Sequence, residues 1–151
     1  MFAAVRVRGN VHLNPDIKKT LESLCLTRTN HLVLVPEKQL PMLKKAEAYV
    51  TYGEIEEKIL VKVLKKRARL SGDKRIDEKW FKEKKIGSVE ELAKNIISGK
   101  IVPKQLGIKP VFRLKPPRKG FERKGIKKSY SSGGALGYRA SDINELINRM
   151  A

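Results

Sequence analysis

The order of secondary structure is decided by two stretches of the sequence, FAAVRVRGN at residues 2–10 and HLVLVPE at residues 31–37. In the first stretch, small apolar residues alternate with Arg6 and Arg8, and this period of two predicts a half-buried strand that ends at a turn. The second stretch is a short apolar run stopped by proline, which is typical of a central strand. Arg6 and Arg8 are placed on the solvent face, where they can reach phosphates, although a plain solvated face explains them equally well.

Helices are predicted on both sides of the second strand. Asn14 is a good N-cap and Pro15 suits the first helical position, and the following apolar residues keep one face as far as Leu26. Pro41 begins a second helix, after which a third strand is expected over residues 48–52. The order β-α-β-α-β predicts an α+β fold in which a small sheet has helices packed on one face.

Residues 56–110 have the periodicity of a mainly helical extension that packs on this core. One helix has a basic stripe between Lys58 and Arg69 opposite an apolar stripe. A short helix with an aromatic anchor is expected over residues 76–81. Another helix follows the capping box formed by Ser88 and Glu91.

The charge is strongly basic and unevenly distributed. The 151 residues include 34 Lys or Arg and 16 Asp or Glu, which gives a formal net charge of +18. An excess this large predicts a polyanionic partner. Residues 100–138 alone contain 11 basic residues and 1 acidic residue, more than half of the excess. Such asymmetry is typical of a compact domain with a segment that binds a polyanion.

Several other classes of protein do not fit this sequence. Cys25 is the only cysteine, and His12 and His31 are the only histidines, so disulfides and cysteine-rich zinc sites are excluded and no metal or cofactor is expected. No apolar stretch approaches the roughly 20 residues of a membrane span. Charged residues come too early in the chain for a signal peptide. We therefore expect a cytoplasmic protein without membrane contact.

The sequence also contains no recognisable enzyme motif, so neither catalysis nor a small-molecule substrate is expected. Phosphate-binding, dinucleotide-binding and zinc-protease patterns are all missing. His31 begins an apolar strand without a nucleophile or carboxylate at a recognisable spacing, which favours a packed histidine over a catalytic base. An ordered pocket that contains His31 and a carboxylate would instead favour a small enzyme.

The most unusual segment is PPRKGFERKGIKKSYSSGGALGY, residues 116–138. It has no hydrophobic period and exceeds the usual length of a loop, so it is either disordered or ordered by a ligand. Its six basic residues suit phosphates, its glycines allow close approach of the backbone, and Tyr130 and Tyr138 can stack on bases or anchor on protein. We interpret it as an RNA-clamping loop; a solubilising disordered loop is the alternative.

Four stretches of the chain together resemble the family of large-ribosomal-subunit protein thirty in its long archaeal form, which is related to eukaryotic large-subunit protein seven. They are VRVRG at 5–9, LTRTNHLVLVPE at 26–37, RLKPPRKG at 113–120 and GGALG at 133–137. The resemblance covers essentially the whole chain. It implies a ferredoxin-like core over residues 1–55 and an extension typical of archaeal members over the rest of the chain. The residue pattern itself divides that rest into the helical extension 56–110 and a final part, 111–151, with a short alternating strand, the basic segment 116–138 and a C-terminal helix that Ser141 can cap.

The function that this resemblance implies is structural and non-enzymatic. The protein is expected to bind large-subunit rRNA in the cytoplasmic ribosome, beside other large-subunit proteins and, for archaeal members, near 5S rRNA. The stretch Arg28–His31 matches a family motif and is the best candidate contact of the core. A free-standing basic RNA-binding or RNA-chaperone protein would have the same charge map, but it would not travel with large subunits.

The predicted RNA-binding residues combine the arginines of the first strand, the family motif and the basic segment. They are Arg6, Arg8, Arg28, Asn30, His31, Lys115, Arg118, Lys119, Arg123, Lys124, Lys127, Lys128, Tyr130 and Tyr138.

Overall fold

The computed structural model describes residues 1–76, 80–81 and 87–151. In chain order its strands and helices are β1 (Phe2–Arg6), α1 (Pro15–Ser23), β2 (His31–Val35), α2 (Leu40–Lys45), β3 (Val50–Glu54), α3 (Glu57–Arg67), α4 (Val89–Ile97), β4 (Val111–Arg113), β5 (Gly137–Tyr138) and α5 (Ile143–Met150). The predicted α+β class is confirmed. Within the described ranges, none of the helices has the length and apolarity needed to cross a bilayer.

The strands form one mixed sheet in the order β4-β2-β1-β3-β5. β1 lies at its centre, antiparallel to both β2 and β3, so that Val5 is opposite Leu32 on one side and Thr51 on the other. β4 adds antiparallel to β2, and β5 adds parallel to β3. The three strands of the first 55 residues are therefore the middle of the sheet, and the rest of the chain widens it at both edges.

Helices cover both faces of the sheet. Residues of α1 and α2 pack with Ala4 and Val33 on one face, as the sequence predicted for the core. Residues of α3, α4 and α5 pack with Ala3 and Val5 on the opposite face. Neither face of the central strands is left open to solvent.

Strand β1 is buried on both faces, which corrects the half-buried strand predicted from its alternation. Ala3, Ala4 and Val5 are fully buried, and Arg6 is only 2% exposed. The alternation of a single strand cannot reveal that two layers of helices cover it, because the second layer comes from residues far along the chain.

The extension packs by the apolar faces of its helices. Leu60 of α3 and Leu92 of α4 are fully buried in the same cluster. Ser88 caps α4, since its hydroxyl accepts a hydrogen bond from the N–H of Glu91 at 3.1 Å, as predicted. Of the short helix expected over residues 76–81, only Trp80 and Phe81 are described as helical, and residues 77–79 lie outside the described ranges.

Helix α5 returns the end of the chain to the core. The side chain of Asn144 donates to the carbonyl of Glu54 at 2.9 Å and accepts from the N–H of Glu56 at 2.9 Å. A Cβ at Gly53 would lie 2.1 Å from the carbonyl oxygen of Ala140, so glycine is needed for this close approach. These contacts fix the α5 end of the segment that links β4 to α5 against β3 and the residues that follow it.

Candidate nucleic-acid interface

The basic loop, residues 116–138, is held by hydrogen bonds within itself. The N–H of Tyr130 donates to the carbonyl of Leu136 at 2.7 Å, and the N–H of Leu136 donates to the carbonyl of Lys128 at 3.1 Å. A Cβ at Gly134 would lie 2.2 Å from that same carbonyl of Lys128, so only glycine fits there. The loop is ordered by its own backbone, which differs from both sequence-based alternatives of disorder and ordering by a ligand.

The single acidic residue of the basic loop is paired inside the molecule. Arg139, which is 3% exposed, donates to the two carboxylate oxygens of Glu122 at 2.5 and 2.7 Å. Arg139 also donates to Thr51 and to the carbonyl of Ala135, and Arg149 lies 3.6 Å from the carboxylate. Burial is the largest single influence and would raise the pKa of Glu122. The hydrogen bonds from Arg139, a backbone hydrogen bond and the charges of Arg139 and Arg149 together outweigh burial and hold that pKa below its ordinary value.

The basic side chains of this region are exposed instead. In the part of the chain that the structure describes, none of them has a carboxylate within ion-pair distance. This set, the loop cations, consists of Lys115, Arg118, Lys119, Arg123, Lys124, Lys127 and Lys128. Unpaired cations held on an ordered backbone form a surface suited to a chain of phosphates.

The two tyrosines of the basic loop anchor on protein. The hydroxyl of Tyr130 donates to Asp142 at 2.6 Å, and the guanidinium carbon of Arg139 lies 4.5 Å from the centre of its ring. The hydroxyl of Tyr138 donates to Glu54 at 2.6 Å. Each of these hydrogen bonds to a carboxylate raises the pKa of the phenol. Tyr138 is 47% exposed and so retains surface on which a base can stack.

Arg6 belongs to the protein interior, so its predicted position on the solvent face is wrong. Its guanidinium makes five hydrogen bonds of 2.5 to 3.1 Å, which use all of its donors. The acceptors are the carbonyls of Arg8, Gly9, Leu26 and Thr27 and the side chain of Asn10. These oxygens come from the end of β1 and from the turn after α1, and they replace the water that an arginine would otherwise need.

Arg8 is half-buried and lies two residues beyond the end of β1. Its guanidinium carbon lies 4.8 Å from the centre of the Tyr49 ring, and it donates to the carbonyl of Ala48 at 3.1 Å. Only part of this side chain is available to a partner.

The motif Arg28–His31 leads into β2, and Arg28 is exposed. Asn30 has a left-handed backbone with φ of 62°. Its N–H donates to the carbonyl of Arg6 at 2.8 Å, and its carbonyl accepts from the N–H of Leu114 at 3.0 Å. His31 lies opposite Arg113 of β4. Burial lowers the pKa of His31, and the charges of Arg113, Arg28 and Arg6 lower it further. The imidazole is therefore held neutral among arginines.

Sequence reasoning missed a second group of cations beside β4. Arg67, Arg69, Lys109 and Arg113 line a cavity of about 190 Å³ together with Asp73 and Val111. Arg67 and Arg69 precede Lys109 and Arg113 by forty or more residues along the chain, so only the fold brings the two pairs together. The signal available in the sequence is the basic stripe between Lys58 and Arg69, but the stripe alone does not indicate which other cations lie beside it.

The features expected of a small enzyme are not found in the described residues. The cavity beside β4 contains the carboxylate of Asp73, but His31 does not line it. No group of His, Cys, Asp and Glu in the described ranges is arranged to hold a metal ion.

Comparison with known proteins identifies one family and several full-length relatives. The family described as ribosomal protein L30p/L7e matches residues 2–50. The chain is 51% identical over 151 residues to large ribosomal subunit protein uL30 of Methanococcus maripaludis, with 99% of this chain and 98% of that protein covered. It is 50% identical to the protein of the same name from Nanoarchaeum equitans (99% and 97% covered) and 45% identical to that from Aeropyrum pernix (99% and 98% covered).

Proposed function

Because the chain belongs to the ribosomal protein L30p/L7e family, we propose that it binds large-subunit rRNA through the loop cations and helps to hold the folded RNA in place. Its role in the large ribosomal subunit is structural and non-enzymatic, as it is for this family. Other large-subunit proteins are its neighbours there. We further propose that the loop cations form its RNA-binding surface and that the protein lies near 5S rRNA.

One observation carries the proposed RNA surface. The acid of the basic loop, Glu122, is paired with Arg139 inside the molecule, whereas the loop cations are exposed and unpaired in the described part of the chain. The fold thus removes the one negative charge of the loop and leaves its positive charges available. Each phosphate that they neutralise releases counterions, which favours association and makes it depend on salt.

The covered sheet also indicates how RNA is recognised. Sheet proteins that read single-stranded RNA stack bases on an open sheet face. Here helices lie on both faces of the central strands, and Tyr138, at 47% exposure, is the only aromatic residue among the exposed large hydrophobic residues of the described part of the chain. Contacts with phosphates and with the shape of the folded RNA therefore supply most of the interaction.

The first experiment asks whether the protein travels with ribosomes. A tagged copy expressed in cells should sediment with the large subunit and stay bound after washing at moderate salt. A free-standing RNA-binding or chaperone protein would remain in the light fractions, and that result would contradict the proposal.

A second experiment tests the neighbouring RNA. An iron chelate attached to Ser131→Cys, in a Cys25→Ala background, should cleave large-subunit RNA around the basic loop and should also cleave 5S rRNA. The same chelate at Glu22→Cys on α1 is the matched control on another part of the surface, since both positions are exposed. Cleavage of the larger RNA alone would reject the 5S position, and no cleavage from Ser131→Cys would reject the loop as the RNA surface.

A further inference from the structure

The cavity beside β4 gathers cationic side chains from separate parts of the chain. The β4-edge cavity has a volume of about 190 Å³ and is lined by Arg67, Arg69, Asp73, Lys109, Val111 and Arg113. This is well above the roughly 10–15 Å³ that a single water molecule needs. Its lining holds four cations and one carboxylate, so it attracts an anion.

The backbone around the β4-edge cavity is fixed. The N–H of Lys109 donates to the carbonyl of Arg69 at 2.9 Å, and the residues next to them, Leu70 and Ile108, form a β-bridge. Arg113 belongs to β4, which is hydrogen-bonded to β2. The backbone segments that carry these cations are therefore positioned before any ligand arrives, which lowers the entropy lost on binding.

The charges in the β4-edge cavity are only partly compensated. Asp73 forms ion pairs with Lys109 and, at 3.4 Å, with Arg113. Arg67 and Arg69 have no carboxylate within ion-pair distance in the described part of the chain. Among the described residues, the Nε of Arg67 is also buried without a hydrogen-bond partner. Guanidinium groups bind phosphate oxygens with two donors at once, so these arginines suit a phosphate group.

We propose that the β4-edge cavity binds one phosphate group of the rRNA backbone, and that Asp73 holds the place of this phosphate in the free protein. The inference rests on the proposed function, since it names a further contact of the same RNA. Arg113 lies opposite His31, and Lys115 comes two residues after the end of β4, so the cavity lies between the Arg28–His31 motif and the loop cations along the chain. Its open position at the edge of the sheet suits a chain that runs past it.

The first test removes the charge of Asp73. Asp73 has a left-handed backbone with φ of 59°, which asparagine adopts readily, and its ion pairs are exposed, so Asp73→Asn should fold normally. Removing the internal competitor should tighten rRNA binding about two- to fivefold, the range that exposed ion pairs allow. Glu22→Gln on α1 makes the same charge change elsewhere and should have no effect at about 0.15 M salt, where the screening length is about 8 Å.

The second test removes the cations. Lys109→Gln and Arg113→Gln should each weaken binding and reduce the slope of log K against log salt by about 0.7–0.9, the value for one phosphate. The double variant should lose no more slope than one phosphate accounts for. The control pair, Lys18→Gln and Lys19→Gln on α1, removes two exposed cations and should leave the slope unchanged.

The third test distinguishes RNA from a free anion. Inorganic phosphate added to the free protein should shift the amide resonances of Lys109 and Arg113 and should compete with an rRNA fragment for them. If phosphate binds there but does not compete with RNA, the cavity is a free-anion site and the inference is wrong.

The remaining outcomes separate this inference from the proposed function. If the wild type binds rRNA while Asp73→Asn binds no more tightly and the cation variants keep their slope, the inference is overturned and the proposed function stands. If the wild type does not bind rRNA at all, the proposed function fails first.

Discussion

The end of β1 and the basic loop both carry arginine side chains, but they use them in opposite ways. At β1, Arg6 is 2% exposed and donates five hydrogen bonds to oxygens of the protein. In the basic loop, Arg118 and Arg123 are exposed and lack a carboxylate partner in the described part of the chain. The arginine at the end of β1 stabilises the fold, whereas the arginines of the basic loop remain available to a partner.

The difference follows from the acceptors within reach. The turn after α1 presents the carbonyls of Leu26 and Thr27 to Arg6. The basic loop instead satisfies its own carbonyls with backbone N–H groups, as between Leu136 and Lys128, and its one carboxylate is taken by Arg139. In a chain of net charge +18, the role of a cation is thus decided by the oxygens that the fold places beside it.

The largest effect on stability is expected at β1. Arg6→Ala removes a buried donor set and leaves the carbonyls of Leu26 and Thr27 without their partner, which should lower the free energy of unfolding by about 3 kcal/mol or more. Urea denaturation measures this loss. The slope of RNA affinity against salt should not change in the molecules that remain folded, and a stable variant with a reduced slope would show that Arg6 serves RNA after all.

A smaller loss of stability is expected at the ion pair between Glu122 and Arg139. Glu122→Gln leaves the guanidinium of Arg139 buried without its carboxylate and should cost about 1.5–3 kcal/mol, the worth of a hydrogen bond to a charged group. Because the pKa of Glu122 is lowered in the fold, its stabilisation is present above the unfolded pKa of about 4.3 and is lost as the pH falls through the folded value.

The wild type and Glu122→Gln should therefore differ in the free energy of unfolding at neutral pH, and the difference should disappear in acid. Glu145→Gln, whose carboxylate is 80% exposed and 4.0 Å from Arg149, is the control and should change stability by less than about 0.5 kcal/mol. Equal losses for the two glutamates would contradict a structural role for Glu122.

The smallest effect concerns His31. Burial and the charges of Arg113, Arg28 and Arg6 lower its pKa, so the fold favours the neutral form. Its stabilisation is fully present above the unfolded pKa of about 6.5 and is lost as the pH falls from there toward the folded value. His31→Gln should remove this part of the pH dependence, which begins as the pH falls through about 6.5. His12→Gln, at an exposed position, should keep it, and a profile unchanged by His31→Gln would be evidence against a histidine held neutral among arginines.

Much of the fold was predictable because it is local. The caps at Asn14 and Ser88 and the alternation of short apolar runs identify helices and strands from neighbouring residues alone. Strand β5 could not be predicted, since it has two residues, Gly137 and Tyr138, that pair with β3 more than eighty positions earlier. A strand of that length has no periodicity to detect.

The features of the candidate site also divide into local ones, which the sequence predicts, and ones set by distant contacts, which it does not. That the loop cations are exposed follows from their local sequence, which offers no apolar face. Other features of the site depend on contacts between distant residues, and no pattern within one segment predicts them. These features are the burial of Arg6, the pairing of Glu122 with Arg139 and the position of Arg67 beside the same cavity as Arg113.

The most direct test of the account measures folding and RNA binding on one variant of the basic loop. Six of its cations, Arg118, Lys119, Arg123, Lys124, Lys127 and Lys128, are replaced together by alanine, and both the thermal midpoint and the salt dependence of rRNA binding are recorded. Because the backbone makes the hydrogen bonds of the loop, the midpoint should stay nearly unchanged, while the slope of log K against log salt should fall by about 0.7–0.9 for each phosphate lost. A variant that unfolds like Arg6→Ala, or that folds and binds rRNA with unaltered affinity and slope, would contradict the central claim.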